Sequence, residues 1–141
     1  MIDMDEMWMQ EAFKLARQAE SLGEVPIGAV VILDDELIGS GYNCKEYNQN
    51  PIAHAEIIAI QEAVKKLNRW RLNDCSLYVT LEPCQMCLGA LINARLKRLV
   101  YAAKKTKTQI NHNIILKTGV LETPASLLLS DFFKKIRKLK S

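Results

Sequence analysis

Two cysteines and a histidine carry the strongest chemical signal in this sequence. Cys84 and Cys87 are three residues apart, which places their side chains on one face of a helix. We predict that this helix begins at Pro83, so that the positive end of its dipole favours the thiolate form that binds metal. His54, thirty residues upstream, supplies a candidate third ligand. The pattern therefore predicts a zinc site made of two thiolates and one imidazole.

Glu56, two residues after the histidine, gives this metal site a catalytic character. On a helix, residues two apart point roughly 200° away from each other, so His54 and Glu56 can approach one metal only if it lies off the helix N-terminus. Three protein ligands leave a fourth zinc position for water, whose pKa zinc lowers to about 7. Glu56 can then accept the proton. Cys44 and Cys75 lack a paired spacing, and we interpret them as bystanders.

Length and composition predict one domain over residues 1–141. The chain has 141 residues, of which 49% are hydrophobic and 25% charged, enough for one hydrophobic core. The first residues lack the layout of a signal peptide, and no apolar run has membrane-spanning length. We therefore expect a cytoplasmic protein with no membrane association, in which cysteines are thiols or metal ligands.

The net charge of +3 conceals an uneven distribution along the chain. Residues 1–82 hold 7 basic and 14 acidic side chains, a net charge of −7. Residues 83–141 hold 12 basic and 2 acidic side chains, a net charge of +10. Most charged runs are solvated faces, but a basic half joined to a metal site favours a polyanionic partner.

Hydrophobic periodicity and turn residues predict an α/β fold with a central mixed sheet and helices on both faces. Active sites in such sheets lie beyond the strand ends, where helix N-termini converge. In the helix over 53–67, a broad arc of aliphatic residues is expected to be well buried. The predicted helices cover 5–22, 53–67, 83–94 and the chain from Thr123-Pro124 onward, and the predicted strands cover 25–33, 37–43, 76–81, 96–103 and 113–116.

Together, His-x-Glu and Pro-Cys-x-x-Cys form the signature of zinc-dependent nucleobase deaminases. Beyond this signature, nearly the whole chain resembles the bacterial tRNA-specific adenosine deaminases of the cytidine/deoxycytidylate deaminase superfamily. The segment over 129–133 best separates these enzymes from relatives that act on free bases. The matching segments are 24–30, 41–43, 53–56, 77–87 and 129–133.

The resemblance implies a three-layer α/β/α cytidine-deaminase-like fold and a homodimer with active sites near the dimer interface. It implies hydrolytic deamination of adenosine to inosine at the wobble (first anticodon) position of tRNA, by zinc-activated water attacking C6. One zinc per subunit would be held by His54, Cys84 and Cys87, and Glu56 would shuttle protons. The expected partner is a tRNA anticodon stem-loop, whose unpaired bases need no duplex opening.

The resemblance also implies roles for residues outside the metal group. Asn43 would hydrogen-bond the base edge, Val25 and Ile27 would line its pocket, and Ala55 would belong to the substrate site. Simple strand core is an equally good interpretation of the two aliphatic residues. The RNA contacts expected outside the pocket are Lys105, Phe132, Phe133 and Arg137, with one of the two phenylalanines in the core.

Two departures from the family pattern lie close together. Family members commonly read Gly-Ala-Arg-Asp after the strand that ends at Tyr101, whereas this chain reads Ala-Ala-Lys-Lys over 102–105. Lys105 thus replaces an acid expected near the RNA. The segment from Lys104 to Asn113 is also shorter than usual, and His112 within it matches a family position outside the metal set.

Three other functions are compatible with parts of this pattern. A deaminase of free cytosine, guanine or nucleosides could share the zinc site but would have no evident use for a basic C-terminal helix. A zinc-stabilised RNA-binding module without catalysis would leave Glu56 unexplained. A Cys-x-x-Cys redox protein would leave both His54 and Glu56 unexplained.

Overall fold

The computed structural model describes residues 3–105 and 113–140. Within these ranges the chain forms four helices and five strands, as the sequence predicts. His112 and most of the shortened segment lie outside the described residues. The elements are α1 (Met4–Ser21), β1 (Gly28–Leu33), β2 (Glu36–Tyr42), α2 (Ala55–Leu67), β3 (Ser76–Leu81), α3 (Gln85–Asn93), β4 (Arg98–Ala103), β5 (Ile115–Thr118) and α4 (Glu122–Lys140).

The strands form one mixed sheet in the order β2-β1-β3-β4-β5, which confirms the predicted architecture. β1 runs antiparallel to both β2 and β3, whereas β3, β4 and β5 are parallel. The C-terminal ends of β2, β3 and β4 therefore share one edge with the start of β1. The loops that follow these ends, 43–54, 82–84 and 104–105, and the segment 24–27 before β1 all lie at that edge.

Two hydrophobic clusters cover opposite faces of the sheet. Buried residues of α1 and α4, including Met9, Phe13 and Ala125, pack on one face. Buried residues of α2 and α3, including Ala59 and Leu91, pack on the other. These layers form the α/β/α arrangement that the resemblance implies. No helix in the described residues is both long enough and apolar enough to span a bilayer.

Helix α2 lies unusually close to strand β2. A Cβ atom added to Gly39 would come within 2.3 Å of the Ala59 carbonyl oxygen, and one added to Gly41 within 2.4 Å of the Ala55 carbonyl oxygen. Only glycine fits at these two strand positions, and the alanines at 55, 59 and 63 keep the facing side of the helix small. This packing fixes the start of α2 directly above the edge where β2, β3 and β4 end, which we call the active-site edge because active sites in such sheets lie beyond the strand ends.

The close approach corrects the predicted burial of α2. Alanines at positions 55, 59 and 63 face the sheet, and the larger aliphatic side chains are only half-buried. The prediction that these larger side chains are well buried is therefore wrong, because there is no room for them between helix and strand. They are Ile57, Ile58, Ile60, Val64 and Leu67.

All four helices begin at residues other than those predicted, and α1 begins at Met4, one residue before its predicted start. α2 begins at Ala55 and α3 at Gln85, so that His54 and Cys84 each occupy an N-cap position with extended backbone. α4 begins at Glu122, one residue before the predicted Thr123-Pro124 start. Leu139 is 86% exposed, although its helical spacing from Phe132 and Ile136 predicts a place on the apolar side of α4.

Asp5 joins the start of α1 to three strands. Its carboxylate accepts hydrogen bonds from the Tyr78 hydroxyl (2.5 Å), both terminal nitrogens of Arg98 (2.8 Å each) and the Lys117 ammonium (2.6 Å). The Arg98 guanidinium, helped by Lys117 and Tyr78, holds the pKa of Asp5 well below its usual range. Its charged form is therefore stabilised in the folded protein.

Asp5→Asn is expected to lower the free energy of unfolding at pH 7 by about 2 kcal/mol, since charge-assisted hydrogen bonds are lost. Because folding lowers the pKa of Asp5, its contribution is fully present above the unfolded pKa of about 3.9 and declines as pH falls from there towards the lower folded pKa. Urea denaturation at pH 7 and pH 3.5 should show the difference between wild type and variant shrinking at the lower pH. Asp35→Asn, in an exposed turn, is the control, and an equal effect from both substitutions would contradict the assignment.

Candidate active site

The three predicted metal ligands lie together at the active-site edge of the sheet. The Nδ1 atom of His54 is 3.7 Å from Sγ of Cys84 and 3.5 Å from Sγ of Cys87. Ligand atoms from all three residues lie within 4.8 Å of one another. Because His54 and Cys84 are the N-cap residues of α2 and α3, two helix N-termini converge on this point. The close approach of α2 to β2 and the β3–α3 connection bring them together.

These nitrogen-to-sulfur distances are close to those expected between two ligands of one zinc ion. With Zn–S bonds near 2.3 Å and Zn–N bonds near 2.0–2.1 Å, a tetrahedral site places nitrogen and sulfur about 3.6 Å apart. One imidazole and two thiols also form the donor set of a catalytic site that keeps one position open. Cys44 and Cys75, interpreted as bystanders, do not belong to the group. Their thiols point instead to the Tyr42 carbonyl and the Asp74 carboxylate.

Without a bound metal, burial has the largest effect on the pKa values of His54 and Cys87. Burial, followed by the nearby Glu56 carboxylate, raises the pKa of the Cys87 thiol, a direction opposite to the one that the helix N-terminus was expected to give. Burial and the positive charges of Lys45 and Lys105 lower the pKa of His54, which favours the neutral imidazole. A bound divalent cation lowers the pKa of a thiol instead, because it stabilises the thiolate directly.

Glu56 is buried beside these ligands. It is the second residue of α2 and is 3% exposed. The Cys87 thiol donates a hydrogen bond to its carboxylate, and burial raises its pKa. A carboxyl group with a raised pKa exchanges a proton near neutral pH more readily than an exposed one. The site therefore combines metal ligands with a group able to accept and donate protons.

Asn43 connects the end of β2 to the start of α2. Its Oδ1 atom accepts a hydrogen bond of 2.9 Å from the Ala55 backbone N–H. Its own backbone N–H donates to the Ile27 carbonyl at 3.2 Å. The side-chain oxygen is thus occupied by protein, which leaves the amide NH₂ as the part of Asn43 that can reach a ligand. Ala55 itself is fully buried.

A cavity of about 640 Å³ opens onto His54. Among the predicted substrate residues, Val25, Ile27 and Asn43 line it, whereas buried Ala55 does not. Of the predicted RNA contacts, Lys105 and both phenylalanines line it, and Arg137 does not. The full lining is Gly23, Glu24, Val25, Ile27, Asn43, Lys45, Glu46, His54, Leu81, Lys105, Leu129, Phe132, Phe133 and Ile136.

The two phenylalanines of α4 differ in exposure. Phe132 is 6% exposed and packs in the core, whereas Phe133 is 46% exposed. Their rings meet edge to face with centroids 5.4 Å apart. This confirms that one of the two belongs to the core. Phe133 is the one whose ring is available to a ligand at the cavity mouth.

Sequence reasoning did not single out several lining residues. Glu24 belongs to a segment that the resemblance covers, but a buried carboxylate there has no sequence signal. Lys45 lies in a polar loop within the acidic half of the chain, where one lysine is unremarkable. Leu129 and Ile136 have helical spacing that is typical of a core-facing side of α4 and gives no sign of a cavity. The positions of the loops that carry Glu24 and Lys45 depend on the three-dimensional fold and have no local sequence signal.

The sheet order, the converging helix N-termini and the buried glutamate define the class of this protein: it is a deaminase of the cytidine-deaminase-like α/β fold. A family model described as MafB19-like deaminase matches residues 3–137. The chain is 43% identical over 149 residues to the tRNA-specific adenosine deaminase of Bacillus subtilis, covering 96% of this chain and 92% of that protein. The chain belongs to the tRNA-specific adenosine deaminase family.

Solved structures agree with this assignment. One, from studies of A-to-I editing by tRNA:A34 deaminases at the wobble position of transfer RNA, superimposes with a TM-score of 0.82 and 36% identity, covering 87% of this chain and 99% of that one. Guanine deaminase from Bacillus subtilis superimposes with a TM-score of 0.67 and 42% identity, covering 70% of this chain and 64% of that one. A guanine deaminase therefore shares this fold.

Proposed function

We propose that this protein hydrolytically deaminates adenosine to inosine at the first anticodon position of tRNA. The observation that carries the chemistry is the His54, Cys84 and Cys87 group next to the buried carboxylate of Glu56. The choice of substrate is supported by the nearly full-length similarity to a tRNA-specific adenosine deaminase. Basic side chains at the cavity mouth and on α4 favour a polyanionic substrate carrier.

Zinc is the metal that the donor set fits best, with one ion per chain held by His54, Cys84 and Cys87. When bound, it lowers the pKa of a coordinated water to about 7 and so supplies a nucleophile near neutral pH. The three residues would hold it at the convergence of two helix N-termini. Their donor separations of 3.5 Å and 3.7 Å support this assignment.

Glu56 is proposed as the proton shuttle. Replacing the C6 amino group with an oxygen from water requires one proton on the ring nitrogen and another on the departing amine. Glu56 is buried beside the ligands, and its raised pKa allows the carboxyl group to accept a proton from water and return it to the base. Ammonia then leaves and inosine is formed.

The cavity is proposed to hold the adenine base. Val25 and Ile27 would contact its faces, and the NH₂ group of Asn43 would donate to its edge, because the Asn43 oxygen is already bonded to Ala55. Ala55 would contribute through that bond, by holding Asn43 in place. An anticodon loop presents unpaired bases, so the target can enter without opening a duplex.

At the cavity mouth we propose RNA contacts from Phe133 and Lys105, and beyond it a contact from Arg137. The half-exposed ring of Phe133 is placed to stack on a loop nucleotide. Phe132 would act only through its edge-to-face contact with that ring, since it is buried. Arg137 is exposed on α4 but does not line the cavity, so it would contact a phosphate further along the RNA.

We further propose one deaminase domain, a cytoplasmic location and a homodimer. Within the described residues, the half-buried aliphatic side chains of α2 and the partly exposed Met86 of α3 lie in the same helical layer. A second copy of the chain would cover them and bring the two active sites near the interface.

A deaminase of free bases is the second candidate, favoured by the 42% identity to guanine deaminase. Zinc-loaded protein should be incubated separately with an anticodon stem-loop carrying adenosine at its first position, free adenosine, cytosine and guanine. We expect inosine in the stem-loop and turnover of the free compounds at least 100-fold slower, because binding contacts to the RNA contribute to catalysis. Deamination of guanine or cytosine alone would assign the second function.

A further inference from the structure

Glu24 anchors the loop that enters the cavity mouth from β2. It is 4% exposed, and both of its carboxylate oxygens accept backbone hydrogen bonds from the 43–54 loop. The Glu46 N–H donates to one oxygen at 3.2 Å, and the Tyr47 N–H donates to the other at 2.7 Å. A buried carboxylate that accepts two N–H groups holds a loop more firmly than neutral hydrogen bonds do. Lys45 immediately precedes these two residues.

Glu82 anchors the opposite side of the cavity mouth in a similar way. It is 6% exposed, and its Oε1 atom accepts a hydrogen bond of 3.1 Å from the Lys105 backbone N–H. The Tyr101 hydroxyl also hydrogen-bonds to this carboxylate. Glu82 thus links the end of β3 to the 104–105 segment after β4. The backbone of Lys105 is fixed although its side chain is exposed.

The two anchored segments carry lysines that face one cavity. Lys45 and Lys105 both line the cavity that opens onto His54, and both are exposed. Lys45 follows β2 and Lys105 follows β4, and the sheet order places β1 and β3 between these strands. Three inter-strand spacings separate the two strand ends by about 14 Å. The backbone segments that carry the two lysines therefore flank the cavity, which Val25, Ile27 and Leu81 line between them.

A nucleotide in a strand keeps one phosphodiester on each side when its base enters such a cavity. Lysine, a compact charge on a flexible stem, suits a phosphate that must be held as a point charge. We propose that Lys45 and Lys105 form a two-sided phosphodiester clamp on the target nucleotide, and that Glu24 and Glu82 are positioning residues for it. This inference rests on the proposed RNA substrate and specifies which side chains bind the two phosphodiesters beside the target nucleotide.

The clamp is tested with Lys45→Gln, Lys105→Gln and the double variant, with Lys65→Gln as the control. Lys65 is exposed in the last turn of α2, at the far end of the helix from the cavity. Each clamp substitution should raise KM for the anticodon stem-loop roughly fivefold. Each should also reduce the slope of log KM against log salt concentration by about 0.7, as expected for one phosphate contact with a single strand. The control should change neither quantity.

A second substrate locates the phosphates. Uncharged methylphosphonates placed on both sides of the target adenosine should raise KM for the wild type and leave that of the double variant nearly unchanged. Inosine formation by the double variant with wild-type KM and salt slope would overturn the clamp while leaving the proposed function intact. If the wild type forms no inosine in the stem-loop, the proposed function fails. The salt slope of stem-loop binding, measured by fluorescence anisotropy, then decides the clamp by itself.

The positioning role is tested with Glu24→Gln, compared with Glu20→Gln on α1. The glutamine amide can accept one of the two backbone N–H groups but presents a donor to the other. We expect KM to rise and the salt slope to fall as in Lys45→Gln, with unchanged kcat and zinc content. A fall in kcat or zinc content with the wild-type salt slope would contradict the role. If Glu24→Gln does not fold, Glu24→Asp provides the same measurements.

Discussion

Glu56→Gln is expected to reduce kcat by about 100- to 10,000-fold while the protein keeps its metal. General acid–base groups contribute about this much, and glutamine cannot carry the proton between water and the base. Glutamine has nearly the shape of glutamate, so the buried position beside Cys87 should tolerate it. The measurements are single-turnover inosine formation in the anticodon stem-loop and zinc content by elemental analysis.

Glu62→Gln, an exposed carboxylate on the same helix, is the matched control and should keep full activity. A Glu56→Gln protein with normal zinc content and wild-type kcat would remove the proton-shuttle role. Loss of zinc together with activity would point instead to a structural role for the carboxylate in holding the metal site.

Cys87→Ala is expected to lower zinc content from about one ion per chain to nearly none and to reduce activity to background. Two ligands hold zinc far more weakly than three, and the cation is what converts the buried thiols to thiolates. Because a metal that binds only the folded protein stabilises it, the variant should also lose the stabilisation that added zinc gives the wild type. Zinc analysis, activity and melting temperature with and without added zinc measure these effects.

Cys44→Ala is the control for losing a buried thiol, since Cys44 lies outside the ligand group. It should keep zinc and activity. Full zinc content in Cys87→Ala, or a loss of zinc in Cys44→Ala as large as in Cys87→Ala, would contradict the proposed ligand set.

The metal group could be predicted from sequence because its ligand spacing is local. Cys84 and Cys87 are three residues apart, and His-x-Glu supplies the remaining groups. The helix starts were less predictable, since Pro83 is acceptable both at a first helical position and just before the N-cap. Because α2 begins at Ala55 and not at residue 53, His54 lies just before the helix. His54 and Glu56 therefore need not point in opposite directions.

Burial in α2 could not be predicted from hydrophobicity alone. Three isoleucines gave the strongest apolar signal, yet alanines face the sheet because the glycines of β2 draw the helix close. The distance between two layers depends on residues in both, and here Gly39 and Gly41 come well before α2 in the chain. Similarly, the choice between Phe132 and Phe133 depended on how α4 rotates against the sheet.

The uneven charge distribution predicted that the basic residues 83–141 bind a polyanionic partner. Residues from both parts of the chain, however, line the cavity. Lys105 comes from the basic part of the chain, and Lys45 from the acidic part. Glu24 and Glu82, counted among the acidic residues, are buried and hold backbone amides of the loops. The distribution of net charge along a sequence therefore describes the long-range attraction of a polyanion better than the individual contacts that bind it at the cavity.

The proposed function is tested most directly by locating the product in the RNA. Zinc-loaded protein should be incubated in ¹⁸O-labelled water with an anticodon stem-loop that carries adenosine both at the first anticodon position and elsewhere in the loop. The RNA is then digested and analysed by mass spectrometry. The proposed function predicts inosine at the first anticodon position alone, with one oxygen from the labelled water. Unchanged adenosine at that position, or inosine elsewhere in the loop, would contradict it.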